Sequence, residues 1–160
     1  MTIVYLGLGS NMGDKEASIN KAVTLIAKGG GDVQRVSPLY LTEPVGDIEQ
    51  EWFLNCVVEV ETDSDPTALL TSLKSIEKKL GKKKIVKDGP RTIDIDILLY
   101  GNQLINLKDL VIPHPRLHQR LFVLQPMMDL NPDLVHPVLK KTIRELYAEQ
   151  PWAEMVTRYK

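Results

Sequence analysis

Gly89-Pro90-Arg91-Thr92-Ile93-Asp94-Ile95-Asp96-Ile97-Leu98-Leu99-Tyr100 decides how this chain is read. Ile93, Ile95 and Ile97 fall on one parity, Asp94 and Asp96 on the other. In a β-strand parity is face. Three isoleucines therefore point one way and two carboxylates the other, the two aspartate Cα atoms ~7 Å apart at a rise of ~3.3 Å per residue. Carboxylates on one face repel unless a positive group lies between them. Arg91 is adjacent, and Lys82, Lys83, Lys84 and Lys87 come just before. An acidic pair facing a basic segment suggests a divalent metal carrying phosphate.

The rest of the chain is compatible with that chemistry. Its 160 residues are enough for one domain with a real core, and 43% hydrophobic and 26% charged residues are ordinary for a globular protein. A net charge of -1 points to neither nucleic acid nor a membrane surface. Cys56 is the only cysteine, so no internal disulfide forms, and its apolar neighbours mark it as core. His114, His118 and His136 lack zinc-site spacing. With no signal-peptide pattern and no membrane-length apolar run, the expected setting is cytoplasmic.

Working outward in chain order, Thr2 to Leu8 reads as a central strand. Gly9 to Asp14 follows as a turn, with Asp14 capping a helix whose buried face is Ile19, Ala22, Val23 and Ile26. Gly7, Gly9 and Met12 miss the dinucleotide-binding spacing, so these glycines are read as serving tight turning. Val33 to Thr42 is a strand interrupted by Pro38. In Trp52 to Glu61, Leu54, Cys56, Val58 and Val60 share the core parity, while Phe53, Asn55, Val57 and Glu59 share the outward one. Phe53 and Asn55 can stack on and hydrogen-bond a flat heterocycle, or simply pack under a covering segment. Asp65-Pro66 starts a second helix, with Leu69, Leu73, Ile76 and Leu80 buried and Gly81 ending it. Lys74 and Glu77 on it can be a surface ion pair.

After the acidic strand, Gly101-Asn102 predicts a hairpin that returns Gln103 to Ile105 antiparallel. Val111 to Arg116 is expected to be extended. Arg116 to Leu130, broken at Pro126, and Val138 to Gln150 are expected to be helical. Trp152 to Lys160 has no clear assignment. The order predicts an α+β fold, a ferredoxin-like βαββαβ sandwich with additional C-terminal helices, as a single domain over residues 1–160.

Two carboxylates with substrate phosphates suit Mg²⁺. Arg91 offers a fixed fork and the lysines mobile point charges for the charge that spreads over a transferring phosphoryl group. His114, between two prolines, can donate to a phosphate oxygen or act as a structural partner.

GLGSN and GD near the start, SPLY with TEPVG, then FLN, GPRTIDIDILLYG and PHPR together resemble the 6-hydroxymethyl-7,8-dihydropterin pyrophosphokinases of folate biosynthesis, from Ile3 to about Leu130. The resemblance implies that the pterin hydroxymethyl oxygen attacks the β-phosphorus of ATP and AMP leaves. It implies two Mg²⁺ ions on Asp94 and Asp96, and a pterin between Phe53 and Phe122. Asn55 and the segment Thr42, Glu43, Pro44 and Val45 would read the pterin edge. ATP would meet Lys74, Glu77, Lys82, Lys84, Lys87, Arg91, Ile97, Val111, His114 and Arg120. Arg91, Asp96 and Lys82 would carry catalysis, although a metal-bound carboxylate is a poor base. The expected partners are these two small molecules, with no nucleic acid or membrane, and a monomer or weak dimer.

The chain departs from the family's pattern at residues 82–88. Arginines and a tryptophan are usual there, and this sequence has lysines and Asp88. That implies a less tightly closing loop, with more weight on Arg91 and the metals. Two other readings compete: a Mg²⁺-dependent phosphotransferase acting on another hydroxymethyl heterocycle, and a ferredoxin-like module binding a ligand or single-stranded RNA.

Overall fold

Residues Thr2–Ser10 form strand β1, and the rest of the sheet assembles on its two edges. The structure is a computed structural model that describes residues 1–44, 50–81, 92–150 and 155–159. Helix α1 (Lys15–Lys28) follows, then β2 (Asp32–Val36), β3 (Tyr40–Thr42), β4 (Phe53–Thr62), α2 (Pro66–Lys79) and β5 (Asp94–Tyr100). Next come β6 (Ile105–Leu107), β7 (Leu110–Ile112), a 3-10 turn at Leu117–Gln119, α3 (Leu121–Leu130), α4 (Ile143–Glu149) and β8 (Val156–Arg158). β1 lies between β4 and β5, antiparallel to both. On the far edge of β4, β2 pairs with one half and β3 with the other. β8 then extends the sheet beyond β3.

The helix signals act where the sequence places them. Asp14 accepts from Ala17 N at 3.1 Å and Asp65 from Ala68 N at 2.8 Å, each satisfying an otherwise unpaired first-turn donor. Gly81, with φ +87°, follows α2. The apolar stripes of α1 and α2 close over one sheet face. Leu6, Leu8, Cys56, Val58, Ile95 and Ile97 join Ile19, Ala22 and Leu73 there in one buried cluster.

The opposite face, expected to look outward, is also covered. Tyr5, Val57, Leu98 and Leu99 form a second cluster with Val123, Leu124 and Met127 of α3 and Ile143 and Leu146 of α4. Polar groups buried under α3 are paired. Tyr5 Oη donates to Glu59 at 2.5 Å, and Arg35 holds the same carboxylate with two bonds of 3.1 and 3.2 Å. The arginine bonds hold the Glu59 carboxyl below its ordinary pKa against its burial.

Several expectations change. The alternation of the acidic strand stops at a β-bulge: Leu6 faces Ile97 while Tyr5 faces Leu99, so Leu98 is the extra residue and Leu98 and Leu99 both join the second cluster. Gln103 to Ile105 does not return along β5. Ile105 opens β6, which pairs with β7 instead. The outer edge of β5 has other partners: Ile95 N donates to Glu77 Oε2 at 2.8 Å and Leu98 O accepts from His114 N at 2.9 Å.

Val111 to Arg116 is extended only as far as Ile112, and turns after the cis Ile112–Pro113 bond. Pro126 sits inside α3 without breaking it, because the buried face of the helix outweighs one lost backbone bond. Val138 to Gln150 is helical only from Ile143. Lys140 at φ 58° turns the chain, and Thr142 and Glu145 form a reciprocal capping box at the start of α4.

Candidate functional site

Between the sheet and α3 lies a cavity of about 110 Å³. Its floor follows from register. Asp94, Gly9 and Asn55 stand side by side on β5, β1 and β4, and Asp96, Gly7 and Val57 form the next row. The two glycines open a trough between the acidic strand and β4. A Cβ on Gly9 would sit 2.5 Å from Asn55 Oδ1, so the amide occupies the space that a side chain would need. These glycines are strand residues that floor a cavity, which corrects their reading as turn glycines; Gly13, at φ +64°, is the one in the turn.

Phe53 and Phe122 line the cavity from β4 and α3, and Thr42 and Glu43 close one side. Asn55 is 7% exposed and donates through Nδ2 to Thr42 Oγ1 at 2.7 Å, which fixes which way the amide points. Arg120, just before α3, also lines the cavity, its guanidinium 5.4 Å from the Phe122 ring centroid. Eight residues singled out from the sequence are thus gathered here: Thr42, Glu43, Phe53, Asn55, Asp94, Asp96, Arg120 and Phe122. Gly7, Gly9, Val57, Leu98 and Val123 also line it and were missed. Glycine inside a strand pattern was the available signal for the first two.

The other expected residues stand elsewhere. Pro44 is not in the lining. Glu77 is 7% exposed, and its carboxylate accepts from the backbone of β5 between the two aspartates, so it is no surface ion-pair partner of Lys74, which is exposed on α2. Ile97 is packed in the cluster under α1 and α2, and Val111 is exposed on β7. Val45, Lys82, Lys84, Lys87 and Arg91 lie outside the described residues.

His114 is half-buried beside β5, and its Nδ1 accepts from Arg116 N at 3.1 Å. Burial, with Arg120 and Arg116 nearby, lowers its pKa to about 4 against the opposing pull of Asp94. At neutral pH the ring is therefore uncharged, with its proton on Nε2, a donor. Burial pushes the Cys56 thiol up to about 12, which leaves it unreactive.

A pair of aromatic rings with a fixed amide suits a flat heterocycle, and two carboxylates a strand's width away suit a cation that carries phosphate. Fold and site together set two aromatic rings and a fixed amide against an acidic strand. A family model described as 7,8-dihydro-6-hydroxymethylpterin-pyrophosphokinase matches residues 5–132, and the chain belongs to that family, the pyrophosphokinases of folate synthesis.

The chain is 40% identical over 149 residues to the 2-amino-4-hydroxy-6-hydroxymethyldihydropteridine pyrophosphokinase of Aquifex aeolicus, covering 93% of this chain and 92% of that protein. It is 44% identical over 150 residues to the protein of the same name from Methylorubrum extorquens, covering 93% and 94%. The match to "Folic acid synthesis protein fol1" of Pneumocystis carinii, 42% identical, covers 90% of this chain but 20% of that longer protein. Among solved structures, a crystal structure of HPPK-DHPS in complex with substrates superposes with a TM-score of 0.74 at 20% identity, covering 92% of this chain and 43% of that one. Plasmodium falciparum HPPK-DHPS with pteroate gives 0.74 at 20%, covering 92% and 42%. These two likenesses concern the fold.

Proposed function

We propose that this chain, as a single catalytic domain, transfers pyrophosphate from Mg²⁺-bound ATP to 6-hydroxymethyl-7,8-dihydropterin. The observation that carries this reading is the cavity that sets Phe53, Phe122 and Asn55 against the strand bearing Asp94 and Asp96. The pterin is held between the two rings, with Asn55 and the Thr42–Glu43 wall at its polar edge. Its hydroxymethyl oxygen attacks the β-phosphorus of ATP and loses its proton. The bond from that phosphorus to the oxygen bridging it to the α-phosphorus breaks, and AMP leaves with that oxygen.

Mg²⁺ takes one or two carboxylates and fills its octahedron with water and substrate phosphate. Asp94 and Asp96 fit that donor set, and among the described residues no group of three or more His, Cys, Asp or Glu gathers as a self-sufficient cage. When bound, the metal supplies positive charge to the phosphates and fixes their line of approach. Arg120, beside Phe122, adds fixed charge, and the Nε2–H of neutral His114 is a hydrogen-bond donor. Arg91, Lys82, Lys84 and Lys87 complete the proposed phosphate contacts from the sequence, and two ions are the proposed number.

The strand order β5-β1-β4 followed by β2 and β3, all antiparallel with α1 and α2 as crossovers, supports the ferredoxin-like description. A cytoplasmic setting and a monomer or weak dimer are part of the same proposal. No helix among the described residues is long and apolar enough to cross a membrane. The test is to mix protein, Mg²⁺, ATP and hydroxymethyldihydropterin and identify the nucleotide product. AMP is expected, and ADP would sink the pyrophosphoryl reading.

A further inference from the structure

β8 lies beyond residue 132, where the family match ends. It adds to the outer edge of β3, with Tyr40 opposite Arg158, Leu41 opposite Thr157 and Thr42 opposite Val156. β3 is only three residues long, and its last residue, Thr42, is both part of the cavity wall and the acceptor that orients Asn55. The next residue, Glu43, lines the cavity as well.

The tail reaches Glu43 twice. Glu43 N donates to Met155 O at 3.4 Å, and Met155 N donates to Glu43 Oε1 at 2.9 Å. The second is a backbone N–H on a carboxylate, a stronger class of hydrogen bond than a neutral pair. It ties down a side chain that otherwise loses rotamer freedom only when a ligand arrives. At the other end of β8, Tyr159 N donates to Leu39 O at 2.8 Å, one residue before β3 begins.

We propose that the C-terminal strand is a positioning element for the heterocycle subsite: Met155 clasps Glu43 and so holds the Thr42–Glu43 wall in the shape that reads the polar edge of the ligand. The tail then sets affinity for the pterin and leaves ATP affinity alone, because Asp94 and Asp96 are on the far side of β1 from β3 and β8. This rests on the pterin-site reading above.

The test compares Met155→Pro, which deletes the N–H on Glu43, with Tyr159→Pro, which deletes the strand bond at the distal end. Met155→Ala, which keeps the N–H, serves as the control. Calorimetric binding of 6-hydroxymethyl-7,8-dihydropterin, with a non-hydrolysable ATP analogue and Mg²⁺ present, should weaken about tenfold in M155P. It should stay within about twofold of the unaltered chain in Y159P and M155A. ATP-analogue binding should be unchanged in all three.

Unaltered pterin binding in M155P, or equal losses in M155P and Y159P, would overturn the inference. Amide exchange on the unaltered chain gives a readout that needs no variant. The Met155 amide should become more protected when pterin binds and not when the ATP analogue alone binds; no added protection with pterin also overturns it. If the unaltered chain binds the ATP analogue but no pterin, it is the function reading that falls, and the inference with it.

Discussion

Gly9 leaves room that Asn55 fills. A methyl there would meet the amide oxygen at 2.5 Å, and the amide cannot retreat without losing its bond to Thr42. Gly9→Ala is expected to weaken pterin binding at least about tenfold and to cost about 1–3 kcal/mol of stability. A pterin titration and a denaturant melt check the two parts, and wild-type pterin affinity would contradict the account.

Glu77 works on the acidic strand from behind. Its carboxylate takes the Ile95 N–H, which sits between Asp94 and Asp96 on the open edge of β5. Glu77→Ala leaves that buried donor unpaired, at a cost of about 1–3 kcal/mol. It should also weaken Mn²⁺ binding, read by electron paramagnetic resonance with the ATP analogue present. Glu77→Gln keeps an acceptor and should restore most of both, which a role resting on charge alone would not allow.

His114 carries a pH signature with a definite sign. Its folded pKa, about 4, lies below the ordinary 6.5, so the fold favours the neutral ring. Its contribution to stability is therefore complete above about 6.5 and is lost as pH falls through that value toward about 4. An NMR titration of the ring in the free protein should have its midpoint near the lower figure, and a midpoint near 6.5 would refute the burial argument. Parity alone put Asp94 and Asp96 on one face, and Phe53 and Asn55 together on another strand's face, where type and parity left heterocycle contact and simple packing both open; all four line the cavity. The trough under them was not legible, because it depends on which residues of β1 and β5 stand opposite each other.

The elements were legible wherever the signal is local. Asp14 and Asp65 announced two helices, and Pro38 announced the gap between β2 and β3. The predicted return after Gly101-Asn102 failed for a non-local reason. The free edge of β5 is taken by Glu77 from α2 and by the His114 backbone, groups 18 and 16 residues away in sequence from their partners Ile95 and Leu98.

The last helix failed for a local reason that was readable. Thr142 and Glu145 spell a capping box, and that sets the start of α4 at Ile143 rather than Val138. Thr142→Ala should cost about 1 kcal/mol. Because α4 contributes Ile143 and Leu146 to the cluster beneath α3, the loss should show in thermal melts while substrate affinities change little. A large drop in pterin affinity would mean that α4 shapes the cavity more directly than its packing implies.

At the scale of the whole molecule, the sheet is the middle layer between two apolar clusters, one under α1 and α2 and one under α3 and α4. The sequence pattern named the first cluster because the stripes of α1 and α2 have clean helical spacing. It treated the other face as outward because nothing in a strand's alternation says that a later helix will cover it. The cavity opens where that second cluster gives way to polar floor residues, so it draws on β1, β4, β5 and α3 at once.

Ligands that bridge those elements should stabilise the entire fold, and the two substrates should do so separately. A ligand at one hundred times its dissociation constant adds about 2.7 kcal/mol, which for a chain of this size raises the melting temperature by roughly 5–10 °C. The non-hydrolysable ATP analogue with Mg²⁺ should produce a shift of that order, and removing the metal with EDTA should abolish most of it. In a chain carrying both Asp94→Asn and Asp96→Asn, the Mg²⁺-dependent shift should vanish. The pterin-dependent shift, which the proposed function assigns to Phe53, Phe122 and Asn55, should survive. If the doubly substituted chain keeps its metal-dependent shift, the acidic strand is not where the metal is held. The phosphate chemistry would then have to be assigned to other residues of the same chain.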